Sequence, residues 1–292
     1  MSRARSSDPD PAADLPRLPD WLRGLPGETL EDAALSAGAA LALLHQVQSR
    51  AQTPLALWRA RLALQAAAQT ARHAGRPERE AAIRDALCLM RPGDAPGPAG
   101  EIGLAWQRAV ERPLSDETLA RALPHLAAGQ GAALPGAPIQ QASAAIEAAL
   151  AEAPRDHLTA LVLGDAALAR ALGWSHLLPL LGLGLTRRDL GAGGVDLRLT
   201  CHRAVLKAAG PALQLAADLA RQAARLQSVV PKLRVKQSTR AVQLVLARDA
   251  IAPAMLTGLM SDRAARRFCD RLVELGAARE LTGRETFRLY GL

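Results

Sequence analysis

From Thr29 onward, apolar side chains return every three or four residues, the spacing of helices that bury one face. Thr29 reads as an N-cap with Asp32 three residues on, opening a helix to about Arg50. Thr53 caps a second helix, with Pro54 in its first turn and Gly75 ending it just after Arg72 and His73. Pro77 opens a third, to about Met90. Short connections between amphipathic helices favour antiparallel neighbours in a bundle. The pattern predicts further helices at about 100–111, 115–127, 137–152, 155–172 and 196–209, and a separate one from Pro211 to about Val230. In that last segment Leu215, Leu219, Gln222, Leu226 and Val229 alternate four and three residues apart. Such a seam lasting about two heptads favours packing within the chain over a coiled-coil dimer, since a coiled coil needs three or four. A homodimer through the helical region stays open.

Two stretches interrupt the helical pattern. Residues 91–100 hold three Pro and three Gly, a composition expected to prevent regular structure and to act as a rigid connector. Leu181 to Val195 contains five Gly and reads as a flexible surface loop. Its Gly182-Leu183-Gly184 and Gly191-Ala192-Gly193-Gly194 runs lack the Lys-Ser/Thr and the strand-to-helix setting of a phosphate loop.

After Pro231 the pattern shortens. A basic linker with Lys232, Arg234, Lys236 and Arg240 leads into a first helix at Thr239–Ala247, a short second at Pro253–Leu259, and a third at Asp262–Leu275. Ser261 caps the third and Gly276 ends it. On a helical wheel Arg263, Arg266, Arg267, Asp270, Arg271 and Glu274 share one face, and Ala264, Ala265, Phe268, Cys269, Leu272, Val273 and Leu275 lie opposite. Residues 277–281 and 286–290 then read as two strands around a turn at Thr282-Gly283-Arg284-Glu285, with Phe287 and Leu289 facing the helices. Helix, helix, helix, hairpin is the order of a winged helix. The fold class expected is therefore mainly α: a flexible tail at 1–20, a helical bundle at 21–230, and a C-terminal winged helix-turn-helix with a small β-hairpin at 231–292.

Charge sharpens this picture. Residues 201–292 hold 16 Lys and Arg against 7 Asp and Glu, while the other 200 residues hold 20 against 21. A basic region on a neutral one points to a polyanionic partner. Aromatics are only 2% and Ala and Leu dominate, which disfavours an all-β fold. Cys88, Cys201 and Cys269 are odd in number and far apart, so neither a zinc site nor a disulfide framework is indicated. The N-terminal residues lack an apolar secretory core and no stretch is long and apolar enough for a membrane span. Cytoplasmic location without membrane contact is the default expectation.

Several of these residues carry a resemblance. Arg91-Pro92-Gly93-Asp94 with Pro96-Gly97-Pro98-Ala99-Gly100 is one matching element. The longer match is Gly258-Leu259-Met260-Ser261-Asp262-Arg263-Ala264-Ala265-Arg266-Arg267, continued by Asp270–Gly276, Arg279–Arg284 and Phe287–Leu292. The chain resembles the bacterial family numbered 1403 among the domains of unknown function, a family often found on plasmids. That resemblance brings no activity, cofactor or catalytic residue with it. Residues 274–284 are also similar to the C-terminal winged helix of Fic-type AMP-transferases. The Fic catalytic loop is missing, so only the fold is implied.

No catalytic constellation emerges. His45, His73, His125, His157, His176 and His202 form no ligand pair at helical spacing, and Cys201-His202 point about 100° apart on a helix. Neither a nucleophile elbow nor a Walker motif is present. No enzyme activity and no cofactor is expected, although a triad assembled from distant residues stays open. The leading expectation is a DNA-binding accessory or regulatory protein. Ser261, Arg263, Arg266, Arg267 and Arg271 on the third helix and Arg284 on the hairpin would meet double-stranded DNA. The rival is a helical module that docks another protein without touching DNA.

Overall fold

The computed structural model describes residues 10–24, 29–90, 93–126, 135–233 and 237–292. Over these residues the chain folds into twelve α-helices and one two-stranded sheet. The helices are α1 (Asp20–Gly24), α2 (Leu30–Gln48), α3 (Leu55–His73), α4 (Glu80–Cys88), α5 (Gly97–Glu111), α6 (Asp116–Ala122), α7 (Pro138–Glu152), α8 (His157–Ala171), α9 (Leu180–Gly184), α10 (Gly194–Val229), α11 (Ser238–Ala247) and α12 (Asp262–Glu274). Strands β1 (Arg279–Glu280) and β2 (Tyr290–Gly291) pair antiparallel. No helix among the described residues is long and apolar enough to cross a membrane.

The N-terminal half follows its local signals closely. Thr29 Oγ1 accepts the Asp32 amide at 3.1 Å and donates to the Asp32 carboxylate at 2.8 Å, so α2 starts where the capping pair places it. Helix α3 ends in a Schellman turn: Gly75 has φ 71°, and the Arg76 amide reaches back to the Ala71 carbonyl at 2.9 Å. Thr53 does not cap α3, contrary to expectation. Pro54 occupies the N-cap position, and the Thr53 hydroxyl is buried without a hydrogen-bond partner among the described residues. Helix α6 stops at Ala122, well short of 127. Pro124 is the cause, because the residue before a proline is pushed out of helical backbone. Residue 127 itself lies outside the described residues.

Helix α8 is buried on every side from Thr159 to Ala169, which makes it the central rod of the bundle. Helices α7, α9, α3 and α5 pack around it, and α2 and α10 pack on each other alongside. Three tryptophans cross-brace this core through their indole N–H groups. Trp58 donates to the Ala212 carbonyl of α10 at 2.9 Å, Trp106 to Thr70 of α3 at 3.0 Å, and Trp174 to His45 of α2 at 2.9 Å. Because a buried indole N–H must find a partner, the first two bonds fix one helix against another and the third fixes the connection after α8 against α2.

The start of the glycine-rich stretch is not a surface loop, while Arg187, Arg188, Gly191 and Gly193 further on lie exposed outside any α-helix. Leu180–Gly184 forms α9, and Leu180, Leu181, Gly182 and Gly184 are buried. The amides of Leu181 and Gly182 donate to the two oxygens of Asp165, at 2.8 and 3.0 Å. Asp165 is fully buried in α8, and burial pushes its pKa up to about 8 against the opposing pull of the backbone amides. Glycine serves close approach here. A Cβ on Gly184 would fall on the Ala204 carbonyl of α10, and one on Gly182 on the Trp106 ring. Residues 97–99 also depart from expectation, since α5 begins at Gly97 with Pro98 in its first turn. Arg91 and Pro92 of that connector lie outside the described residues.

Residues 196–209 and 211–230 are one helix, not two. Helix α10 runs 36 residues through Gly210-Pro211, a length of about 54 Å at 1.5 Å per residue. Pro211 removes one backbone bond but faces solvent. On both sides of it, buried positions from Leu197 to Val229 pack on the same core, and tertiary burial overrides the local breaker. Leu219, Leu226 and Val229 of the heptad seam are buried within the chain. Of the stretch read as a loose tail, residues 1–9 lie outside the described residues, while Ala12 and Leu15 pack on Ala217 and Ala220 and Asp10 pairs with Arg221 at 3.2 Å.

The C-terminal elements share the core of the bundle. Val242, Val245, Leu256, Phe268, Leu272, Tyr290 and Leu292 belong to the same buried cluster as residues of α2 and α3. Asp249, just past α11, pairs with Arg61 of α3 and with Arg84 of α4, the latter at 2.5 Å. The expected second helix is a 3-10 turn at Pro253–Leu256. The strands are two residues each rather than five. Phe287 has φ 55° and stands 62% exposed, so the alternation breaks and Leu289 and Tyr290 are both buried. Arg234 and Lys236 of the basic linker lie outside the described residues.

Candidate nucleic-acid interface

Helix α12 owes its position to one apolar stripe. Ala265, Phe268, Cys269 and Leu272 are buried at spacings of three and four, which fixes the rotation of the helix and turns the opposite face outward. Ser261 Oγ accepts the Ala264 amide at 3.4 Å and starts the helix. Gly276, with φ 64°, ends it, and the Ala277 amide returns to the Leu272 carbonyl at 2.9 Å. Val273, expected on the buried face, is 37% exposed at the boundary.

The outward face carries Arg263, Arg266, Arg267 and Arg271, all exposed. Their partners differ. Arg266 pairs with Asp262 at 2.9 Å and Arg271 with Glu274 at 2.8 Å, both within the helix. Arg263 and Arg267 have no hydrogen-bond or ion-pair partner among the described residues. Asp270 takes no arginine of this helix. It accepts the Tyr290 hydroxyl at 2.9 Å, and Arg288 approaches it at 3.9 Å. Burial and the neighbouring Asp270 carboxylate push the Tyr290 phenol up to about 12. Four arginines against three carboxylates leave the helix with a net charge of +1, and Arg263 and Arg267 are its two unpaired cations among the described residues. Arg263 and Arg267 are one helical turn apart, about 6 Å along the axis. That is close to two steps of a nucleic-acid strand, at about 3.4 Å each.

Arg284 is placed differently. Its guanidinium bonds the Asp85 carboxylate of α4 at 2.5 Å, so the hairpin is tied to the bundle through it. Sequence reasoning could not have found Asp85, which lies 199 residues away. The hairpin turn is held by Glu280, whose carboxylate accepts the Thr282 and Gly283 amides at 2.8 Å each and the Thr282 hydroxyl. The exposed ring of Phe287 was also missed, because simple alternation placed it inward.

Other candidate chemistry resolves into structure. Cys201 is buried and its thiol pKa is raised by burial, and Cys269 is pushed up to about 12 for the same reason. Neither is a poised nucleophile. His125 bonds Asp156 at 3.0 Å and Thr159 at 2.8 Å at the capped start of α8. Among the described residues no three His, Cys, Asp or Glu side chains cluster as a metal site.

Fold and surface together define a mainly α-helical protein that ends in a compact helix–hairpin unit with an exposed arginine face. Residues 6–292 match the family described as Protein of unknown function (DUF1403), and the chain belongs to that family. No curated protein and no solved structure matches it significantly.

Proposed function

We propose that the protein binds double-stranded DNA through α12, with residues 237–292 acting as a winged helix. The carrying observation is the pair Arg263 and Arg267, unpaired on the exposed first half of that helix. Guanidinium groups in that position bind phosphate or guanine edges, and the free helix start adds partial positive charge beside them. The strand pairing supports the winged reading. Besides pairing with β1, Tyr290 forms an isolated bridge with Ile251, which sets the stretch after the first helix beside the hairpin, in keeping with a winged helix. Arg266 and Arg271 would give up their helix-internal pairs, and exposed i,i+3 and i,i+4 pairs hold only about 0.3–0.5 kcal/mol. Those pairs are also what favours the second reading, a salt-bridged surface that docks another protein.

Fluorescence anisotropy with a generic duplex over a salt series separates the two. The joint Arg263→Ala and Arg267→Ala variant is expected to flatten the log–log salt slope by about 1.8, at about 0.9 per lost phosphate contact. Affinity should fall at least about tenfold. An unchanged slope in a folded variant overturns the assignment of α12.

A further inference from the structure

A cleft of about 310 Å3 lies where α3, α4 and α5 meet the segment following α11. Its walls are mainly apolar, supplied by Ala60, Ala63, Leu64, Leu87, Val110 and Met255. This is the size and character of a small-molecule site, in which a few polar groups orient an apolar body. Two lining guanidiniums have no ion-pair partner among the described residues: Arg248, which is exposed, and Arg59, which is half-buried. The Arg59 Nε donates to the Val110 carbonyl at 3.3 Å, and its two terminal nitrogens have no protein partner among the described residues. Burial lowers its pKa, and no carboxylate offsets that effect. The carboxylates lining the cleft are engaged elsewhere, Asp249 with Arg61 and Arg84, and Glu111 with Arg121. A half-buried cation without a counter-ion is costly unless something anionic joins it. Gln107 lines the same cleft and offers a neutral amide donor.

We infer that this cleft binds a small amphipathic monocarboxylate, its carboxylate on the Arg59 fork and its hydrocarbon body against Ala60, Leu64 and Met255. The half-buried Arg59 guanidinium calls for one negative charge and its planar fork fits a carboxylate bidentately, whereas Arg248 at the rim is exposed to solvent. The site is independent of the α12 reading, since none of its lining residues belongs to that helix.

Isothermal titration calorimetry of the full chain tests it with octanoate, phenylacetate and indole-3-acetate, each beside its neutral amide. We expect saturable one-to-one binding of at least one carboxylate, with the matching amide at least about tenfold weaker. Arg59→Gln should weaken the carboxylate by a similar factor. Ala60→Leu, which fills the cleft and leaves Arg59 in place, should abolish binding. Circular dichroism confirms that each variant folds. If Arg59→Gln does not fold, the amide comparison and Ala60→Leu decide. The inference is overturned by absence of saturable binding for all three acids, by equal affinity for acid and amide, or by unchanged binding in either folded variant.

Discussion

Asp249 is the residue whose loss should cost most at the seam between the bundle and the C-terminal elements. It takes two cations, Arg61 and Arg84, and all three side chains are 13–14% exposed. Asp249→Ala leaves two guanidinium groups in a poorly solvated site. Removing one partner of a buried pair costs about 3–5 kcal/mol, because the remaining charge is uncompensated. Arg61 keeps the backbone carbonyls of residue 249 at 3.4 Å and of Leu292 at 3.2 Å, which places the expected loss near the lower end, about 3 kcal/mol. With a urea m-value of about 3 kcal/mol/M for a chain of this size, the midpoint should drop by about 1 M. Hydrogen exchange gives a local readout. The Ile251 and Tyr290 amides, paired with each other's carbonyls at 2.8 and 2.9 Å, should exchange faster as the last strand loosens. Replacing the triad together, with Arg61→Met, Arg84→Met and Asp249→Leu, should recover most of the stability, since no charge is then stranded. A loss below about 1 kcal/mol for Asp249→Ala would refute the reasoning, because that is the value of a solvated surface pair.

Two further perturbations test the core. Gly184→Ala drives a methyl group into the Ala204 backbone and should destabilise by about 1–3 kcal/mol or more, whereas Gly38→Ala, in an exposed interior turn of α2 with open space around it, should stabilise by about 0.4–1 kcal/mol; thermal melts of both check the pair. His73 is buried, and burial together with the nearby His157 pushes its pKa down to about 4. The unfolded chain therefore takes up this proton near pH 6.5 and the folded chain only near 4, so stability falls as pH drops through that window. His73→Gln should flatten the acid side of a melting-temperature profile between pH 7 and 4.5. Comparison with the variant cancels contributions such as that of Asp165, whose raised pKa acts with the opposite sign. Equal acid slopes in the two proteins would mean that His73 is protonated while folded.

Helix existence was legible along most of the chain, because periodicity, caps and terminating glycines act over a few residues. Thr29, Gly75, Ser261 and Gly276 each sit where local chemistry places them. The exposed arginine face of α12 was legible for the same reason, since a helix buries its apolar stripe and turns the remainder outward. Tertiary structure decided what local rules could not. It carried α10 through Pro211, folded the start of the glycine-rich stretch into α9 around Asp165, and turned Phe287 outward. It also chose the partners. Arg284 met Asp85, Asp249 met Arg61 and Arg84, and Arg59 was left without a counter-ion among the described residues in a cleft built by four separate segments. Pairings of that kind depend on which surfaces come together after helices pack, and sequence spacing carries no term for contacts across such distances.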